Sequence, residues 1–157
     1  KILSKLSSAF SVSLLALPVF AEGERTSSLD VDAASLLLGE AKVEFSHKIS
    51  ESSALGISGG YYASGIASAS SLGLGWNYWF AGNPYVDSWV AGPSILAINV
   101  RGKFFGIDFS GTTVGLGLSA GYVWAYESGF QMGLKGTAYA FEGGIAPDLD
   151  FNVGFSF

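Results

Sequence analysis

Large apolar residues alternate with small or polar residues along most of this chain. One segment carries a large apolar residue at every second position: Leu72, Leu74, Trp76, Tyr78 and Phe80. The positions between them are mostly glycine, serine or asparagine, and residues 114–124 repeat the pattern. Because neighbouring side chains of a β-strand point to opposite faces, the alternation predicts strands with large apolar residues on one face and small or polar residues on the other.

Turn-forming residues divide the alternation into eight segments. Their predicted bounds are about 29–37, 41–49, 54–63, 70–80, 87–98, 112–125, 129–141 and 147–157. The boundary between the first two predicted strands has two interpretations, because the residues at odd positions lie on the same face from Val31 through Ile49. Residues 29–49 form either one long bent strand or a hairpin that turns at Leu38-Gly39-Glu40.

The faces that would meet water in a soluble protein carry very few charges. Only 13% of the residues are charged, against roughly 25% in an average domain, and 22 of 157 are glycine. Such faces make a poor soluble surface but can fill the narrow interior of a barrel whose apolar faces meet lipid. The predicted fold is all-β: a closed antiparallel up-and-down transmembrane β-barrel of eight strands over residues 29–157, after a short segment 22–28. Seven strands would break the even-number habit of bacterial barrels.

Residues 1–21 have the features of a cleaved signal peptide. Lys1 and Lys5 precede an apolar stretch, and Val19-Phe20-Ala21 is similar to a cleavage site that ends at Ala21. Loss of both lysines from eight basic residues leaves 6 − 13 = −7 as the mature charge. An acidic chain argues against nucleic acid as a partner.

An exported barrel with both termini in the periplasm should have short periplasmic turns and longer outer loops. Aromatic side chains should then form a girdle at the periplasmic interface. The predicted girdle consists of Tyr78, Phe80, Trp89, Trp124, Tyr126 and Phe130, with Tyr85 and Phe155 at the same height.

The alternating strands and the ending LDFNVGFSF resemble Gram-negative outer-membrane β-barrel proteins. The size is similar to the eight-stranded class that includes OmpX and the OmpA barrel. More narrowly, LLLGEAKVEFSHKIS, LGLGWNYWF and SAGYVWAYESGFQMGL resemble an uncharacterised family of predicted outer-membrane proteins. The resemblance implies a monomer in the bacterial outer membrane, with lipid and lipopolysaccharide around it. It also implies recognition by the barrel-assembly machinery through Leu149, Phe151, Val153, Phe155 and Phe157.

Six charged residues are predicted to point into the lumen: Lys42, Glu44, Lys48, Lys135, Asp148 and Asp150. Buried charges are unfavourable unless they are paired, so we expect a lysine–carboxylate network near Tyr62, Asn77 and Tyr139. A structural filling of the lumen is favoured over a path for ions or small solutes. Eight strands enclose only enough space for side chains.

No catalytic, cofactor or metal site is predicted. The chain has no cysteine and one histidine, His47. Its neighbour Ser46 points to the opposite face of the strand, as does Glu44, so a catalytic triad cannot form there. The glycines between Gly115 and Gly121 do not have nucleotide-loop spacing and are attributed to close packing within a strand.

The segment Asn99–Gly111 is predicted to be the longest outer loop. Its candidate contact residues are Arg101, Lys103, Phe104, Phe105 and Phe109, which could touch lipopolysaccharide phosphates or a partner. The sequence thus favours an outer-membrane barrel with a structural or surface-interaction role. The alternatives are a narrow channel, an outer-membrane lipid-modifying enzyme and a soluble periplasmic barrel that binds an apolar ligand.

Overall fold

A computed structural model describes residues 24–104 and 107–157. The predicted signal peptide therefore lies outside the described residues. Eight antiparallel strands and one short helix make up the described chain. Their bounds are β1 Ser27–Asp32, α1 Ala33–Leu37, β2 Glu40–Ser50, β3 Ser53–Ala63, β4 Ala67–Trp79, β5 Ser88–Phe104, β6 Ile107–Ala125, β7 Phe130–Phe141 and β8 Gly144–Ser156. Among these residues no helix has the length and hydropathy needed to cross a membrane.

Each strand pairs with the next, and β1 pairs with β8 to close the barrel. At the closure, Leu29 lies opposite Phe155 and Val31 lies opposite Val153. Closure leaves none of the eight described strands with an unpaired edge, which is the condition for a sheet in hydrocarbon. The predicted fold class, an all-β closed antiparallel barrel of eight strands, is confirmed.

Of the two arrangements predicted for residues 29–49, the structure has the hairpin, with a short helix before its turn. β1 ends at Asp32, residues 33–37 are helical, and the chain turns back at Gly39, which has a φ of 84°. The Asp32 carboxylate caps α1 by accepting hydrogen bonds from the Ala34 backbone N–H at 3.0 Å and the Ser35 hydroxyl at 2.5 Å. This N-terminal cap favours a helix where strict alternation predicted strand.

The two ends of the barrel carry different connections. We call the end where β1 begins and β8 ends the terminal end; it holds the connections 51–52, 80–87 and 126–129. We call the opposite end the hairpin end; it holds α1 and the connections 64–66, 105–106 and 142–143. The expected contrast between short turns at the terminal end and longer loops at the hairpin end is not seen among the described residues, because their longest connection without regular structure, 80–87, lies at the terminal end.

The predicted loop Asn99–Gly111 is instead an extension of the β5–β6 hairpin. The two strands stay paired from Ser88 opposite Val123 to Phe104 opposite Ile107. Cross-strand contacts explain the extension: the Asn99 amide donates to the Thr112 hydroxyl at 2.8 Å, and Lys103 approaches Asp108 at 3.7 Å.

The barrel is apolar outside and polar inside. On the outer face, Leu118 is 70% exposed, whereas Asp150 on the inner face is 3% exposed. The outward apolar residues of β6 run from Val114 to Trp124, which corresponds to ~25 Å of height at the strand rise and tilt usual in membrane barrels. This distribution reverses that of a soluble protein and matches the thickness of a membrane's hydrocarbon layer.

Candidate functional site

At the terminal end, a tyrosine from the 80–87 connection plugs the lumen. Tyr85 is 1% exposed, its ring lies edge-on to Trp79 with 5.7 Å between centroids, and its hydroxyl lies 3.0 Å from the Ser46 hydroxyl. Arg25 holds the connection by donating to the Tyr85 carbonyl at 3.5 Å and to the Glu127 carbonyl at 2.6 Å. The sequence prediction that Tyr85 faces the membrane interface is therefore wrong.

The position of Tyr85 in the lumen affects both its backbone conformation and the pKa of its phenol. Its backbone adopts a φ of 64°, a left-handed conformation that is uncommon for residues other than glycine. Burial raises the pKa of its phenol to about 12, and the nearby Asp30 and Glu44 carboxylates add to the rise while the hydrogen bond with Ser46 opposes it. The phenol therefore stays neutral at physiological pH and fills space as an uncharged group.

Above the plug lies a polar layer that the sequence analysis missed. The Asp30 carboxylate accepts hydrogen bonds from the Ser28 hydroxyl and the Gln131 amide, both at 2.7 Å. Asp30 pairs with Glu44 in the sheet register, so both side chains face inward. The sequence did contain a signal for this layer. Residues at even positions from Asp30 to Lys48 share one face of the alternation, which places the β1 carboxylates in the lumen with the lysines of β2.

The middle of the lumen holds two ion-paired lysines. The Lys42 ammonium donates to Asp148 at 3.0 Å and also contacts Asp150. The Lys135 ammonium donates to Glu44 at 3.1 Å. The structure thus brings together five of the six charges proposed for the lumen network.

Lys48 is the sixth charge, and it is not part of this cluster. Its ammonium pairs with Glu24 and lies 3.4 Å from the Asn83 side-chain oxygen, at the terminal end. Of the polar residues predicted near the network, Asn77 and Tyr139 line a small cavity beside Lys42 and Lys135. Tyr62 lies farther toward the hairpin end, in the cavity described next.

The free space inside the barrel is distributed unequally. Cavities in the terminal and middle parts measure about 50 and 30 Å³, whereas a cavity at the hairpin end measures about 370 Å³. The large cavity, which we call the mouth cavity, is lined by Glu40, Lys42, Tyr62, Ala69, Ser70, Ser71, Leu96, Ile98, Tyr139, Phe141, Ala146, Pro147 and Asp148. Lys42 and Asp148 belong to both the mouth cavity and the ion-paired layer, which therefore forms the cavity floor.

The predicted girdle residues lie in one band near the terminal end. Ring contacts connect Tyr78 to Phe80 at 5.3 Å, Tyr126 to Phe130 at 5.6 Å, and Trp124 to its neighbour Tyr122 at 5.1 Å. The remaining predicted member joins the band through Tyr122 as well, since Trp89 lies 5.5 Å from that ring. These side chains form a partly exposed aromatic band on the outside of the barrel.

The residues proposed as an assembly signal lie on or next to β8. Leu149, Phe151, Val153 and Phe155 share its outward face. Phe155 also stacks edge-on against Phe130 at 5.6 Å. Phe157 follows β8, and its carbonyl accepts hydrogen bonds from the Thr26 and Ser27 N–H groups at 2.9 Å.

The candidate contact residues of the predicted outer loop lie on both faces of the hairpin extension. Arg101 and Lys103 are on the outward face of β5, opposite Ser110 and Asp108. Phe109 belongs to the inward face of β6, where its ring covers Gly102: a Cβ added there would lie 2.3 Å from the ring. Phe104 is the last residue of β5, and Phe105 lies outside the described residues.

His47 contacts the hydroxyl of Ser27, whose oxygen is 2.9 Å from the imidazole Nδ1. It is exposed on the outward face of β2, while Ser46 is buried on the inward face. Within residues 24–104 and 107–157, no three His, Cys, Asp or Glu side chains are arranged to hold a metal ion.

Comparison with known proteins gives matches by structure. The N-terminal β-barrel domain of Pseudomonas aeruginosa OprF matches with a TM-score of 0.70 and 15% identity, covering 87% of this chain and 100% of that one. Neisserial surface protein A matches at 0.62 and 14%, covering 86% and 98%. The Yersinia pestis outer membrane protein Ail, in a phospholipid nanodisc, matches at 0.54 and 14%, covering 85% and 100%.

Neither a family model nor a curated protein sequence matches the chain. The structural matches agree in architecture with the closed eight-stranded barrel described above. The chain therefore has the fold of the small eight-stranded outer-membrane β-barrels, the size class that includes OmpX and the OmpA barrel.

Proposed function

We propose that this protein is an integral barrel of the bacterial outer membrane that acts at the cell surface and neither conducts nor catalyses. The observation that carries the proposal is the combination of an apolar outer belt with a lumen filled by side chains. Leu116 and Leu118 are mostly exposed on the outside, while Lys42 and Lys135 form ion pairs across the inside. A belt of this kind is stable in lipid and not in water.

In the proposed orientation the terminal end faces the periplasm and the hairpin end faces the outside. The aromatic band would then lie at the periplasmic interface. On β6 the outward apolar belt stops at Val114, and the next outward pair is Asn99 with Thr112. The hairpin from residue 99 to 112 would therefore project beyond the hydrocarbon layer.

The outward face of this hairpin is suited to the headgroup region of the outer leaflet. Arg101 and Lys103 are exposed there, and the Lys103–Asp108 contact at 3.7 Å is too exposed to hold the ammonium firmly. Lipopolysaccharide phosphates are the proposed contacts of these cations. Other proposed partners are membrane lipid and, during biogenesis, the barrel-assembly machinery.

The filled lumen argues against the channel alternative. A buried ion pair and a buried tyrosine ring both lie along the barrel axis, and the remaining cavities below the mouth hold little more than water. The lipid-modifying enzyme alternative lacks support as well. On the outward face of the β5–β6 hairpin, within the described residues, no histidine accompanies Ser110 and Asp108.

Membrane fractionation tests the location, and a hairpin replacement tests the surface role. The expressed protein should be recovered in the outer membrane and migrate faster on a gel before heating than after. Recovery in the soluble periplasm would overturn the membrane assignment.

Replacing residues 100–111 by a two-residue Asn-Gly turn should leave the barrel folded, since β5 and β6 remain paired below Asn99 and Thr112. The shortened protein should lose affinity for lipopolysaccharide vesicles. A matched control, Arg101→Gln with Lys103→Gln, separates charge from length. Unchanged vesicle binding by both variants would overturn the hairpin's role.

A further inference from the structure

The mouth cavity has a size and a lining that the filled lumen below it does not share. Its volume of about 370 Å³ lies within the roughly 300–1,000 Å³ typical of small-molecule sites. Its floor is the Lys42 ion-pair layer, so a molecule that enters from the hairpin end cannot continue through the barrel. The cavity is therefore a pocket with one entrance.

Three aromatic rings form part of its wall. Tyr139 and Phe141 are inward neighbours on β7, with 6.0 Å between ring centroids, and Tyr62 lies on β3. Leu96 and Ile98 of β5 supply an aliphatic wall. Aromatic faces attract cations, and the attraction is strongest where water is partly excluded.

Glycines of β6 leave the space in which two of these rings lie against the barrel wall. A Cβ added at Gly115 would lie 2.5 Å from the Phe141 ring, and one added at Gly117 would lie 2.6 Å from the Tyr139 ring. Larger residues at these positions would push the rings toward the barrel axis and fill the cavity. The alternating glycines of this strand thus leave the pocket open.

The charges at the cavity are predominantly negative. Among the described residues that line it, Lys42 is the single lysine or arginine, and this ammonium already contacts both Asp148 and Asp150. Glu40 also lines the cavity, opposite Tyr62 in the sheet register, and forms no ion pair among the described residues. The lining carries two carboxylates, Glu40 and Asp148, and one ammonium, and this balance disfavours an anionic ligand and favours a cation.

We propose that the mouth cavity binds a small organic cation, an ammonium group that bears an aromatic or alkyl substituent. The ammonium lies between the Glu40 carboxylate and the rings of Tyr62 and Tyr139. The apolar substituent contacts Phe141, Leu96 and Ile98. Binding ends at the ion-paired floor, so the ligand is captured at the surface and not transported.

Titration of the full chain with benzyltrimethylammonium tests this proposal. The protein is folded in a nonionic maltoside detergent, and heat released on binding is measured by calorimetry. We expect saturable binding at one site, and we expect benzenesulfonate, which has the same ring and a negative charge, not to bind. Equal binding of both probes, or of neither, would overturn the proposal.

Variants locate the site. Glu40→Gln should weaken benzyltrimethylammonium binding about tenfold and Tyr139→Leu about fivefold. Leu96→Trp should abolish binding by filling the cavity with no change in charge. Asp108→Asn, which removes an equal charge from the exposed outward face of the β5–β6 hairpin, should leave the affinity within about twofold.

Heat-modifiable gel mobility shows which variants are folded, and only folded variants are titrated. If Glu40→Gln does not fold, Leu96→Trp and Tyr62→Leu carry the test. Unchanged affinity in the folded variants that alter the cavity, or an equal loss in Asp108→Asn, would overturn the assignment of the site.

Discussion

The two halves of the lumen are built in different ways from the same barrel. In the terminal half, Tyr85, Trp79 and the Asp30–Gln131 layer leave a cavity of only about 50 Å³. In the hairpin half, a cavity of about 370 Å³ remains open above Lys42 and Asp148. Apart from a register shift between Lys48 and Ser50, the strands keep one pairing register through both halves, so the difference comes mainly from the side chains.

Gly92 and Gly111 show a similar contrast, although Gly115 and Gly117 of the hairpin half also have side chains close to them. A Cβ added at Gly92, toward the terminal end of β5, would lie 1.7 Å from the Trp76 carbonyl oxygen. A Cβ added at Gly111, near the hairpin tip, would meet nothing within 4 Å. The terminal half is packed as a structural core, whereas the hairpin half has room for change and for a ligand. Stability should therefore depend on the first half and surface function on the second.

The largest effect is expected from breaking the layer that separates the halves. Lys42→Met leaves the nearly buried Asp150 and its neighbour Asp148 without their cation. The free energy of unfolding should fall by about 3–5 kcal/mol, the usual cost of removing one partner of a buried ion pair. Urea unfolding of the folded barrel in detergent measures it.

Two matched variants accompany this measurement. Lys103→Met removes a lysine from an exposed pair near the hairpin tip and should cost less than about 1 kcal/mol. Adding Asp150→Leu to Lys42→Met should recover part of the loss, since it removes one unpaired carboxylate. If Lys42→Met and Lys103→Met lowered the free energy of unfolding equally, the view that the ion-paired layer stabilises the barrel would be contradicted.

A smaller effect is expected from adding one methyl group to the barrel wall. Gly92→Ala places a Cβ against the backbone of β4, so the sheet must shift, at a cost of about 1–3 kcal/mol. Gly111→Ala should be close to neutral. The same urea experiment compares them, and a Gly111→Ala loss as large as that of Gly92→Ala would show that the barrel wall is packed as tightly at Gly111 as at Gly92.

The smallest effect concerns the ionisation of Tyr85. Because burial raises the pKa of its phenol from about 10 to about 12, the folded protein holds this proton more tightly than the unfolded chain. Its contribution to stability is therefore complete below pH 10 and is lost as the pH rises toward 12.

Ultraviolet absorbance of tyrosinate tests this shift. The difference between alkaline titrations of the wild type and Tyr85→Phe should show one tyrosine with a midpoint near pH 12. The matched control is Tyr126→Phe, which removes an exposed tyrosine from the same end. A Tyr85 midpoint near pH 10 would mean that the phenol is exposed to solvent.

The barrel could be predicted from sequence because the period-two alternation persists through nearly every strand. Sheet closure then follows from the need to pair the backbone in lipid. Two local features escaped the pattern. Asp32 caps a helical turn with its side chain, and the Asn99–Thr112 contact extends a hairpin through residues that were interpreted as a loop. In both places, specific side-chain hydrogen bonds outweighed the local pattern.

The interior was predictable only in part. Parity along β2, β7 and β8 placed Lys42, Lys135 and Asp150 in the lumen, but it could not say which carboxylate each lysine contacts. The path of the 80–87 connection, which carries Tyr85 inward, depends on a left-handed conformation at Tyr85 itself, a residue type that does not signal it in the sequence. The mouth cavity likewise depends on which rings fold against Gly115 and Gly117.

Current recording across a planar lipid bilayer tests the sealed lumen most directly. The wild-type barrel is inserted from vesicles in which heat-modifiable mobility has shown it to be folded. We predict no conductance above that of the bare bilayer, because Tyr85 and the Lys42 and Lys135 ion pairs fill the path from the terminal end to the mouth cavity. A steady conductance that increases with the amount of inserted wild-type barrel would contradict this account.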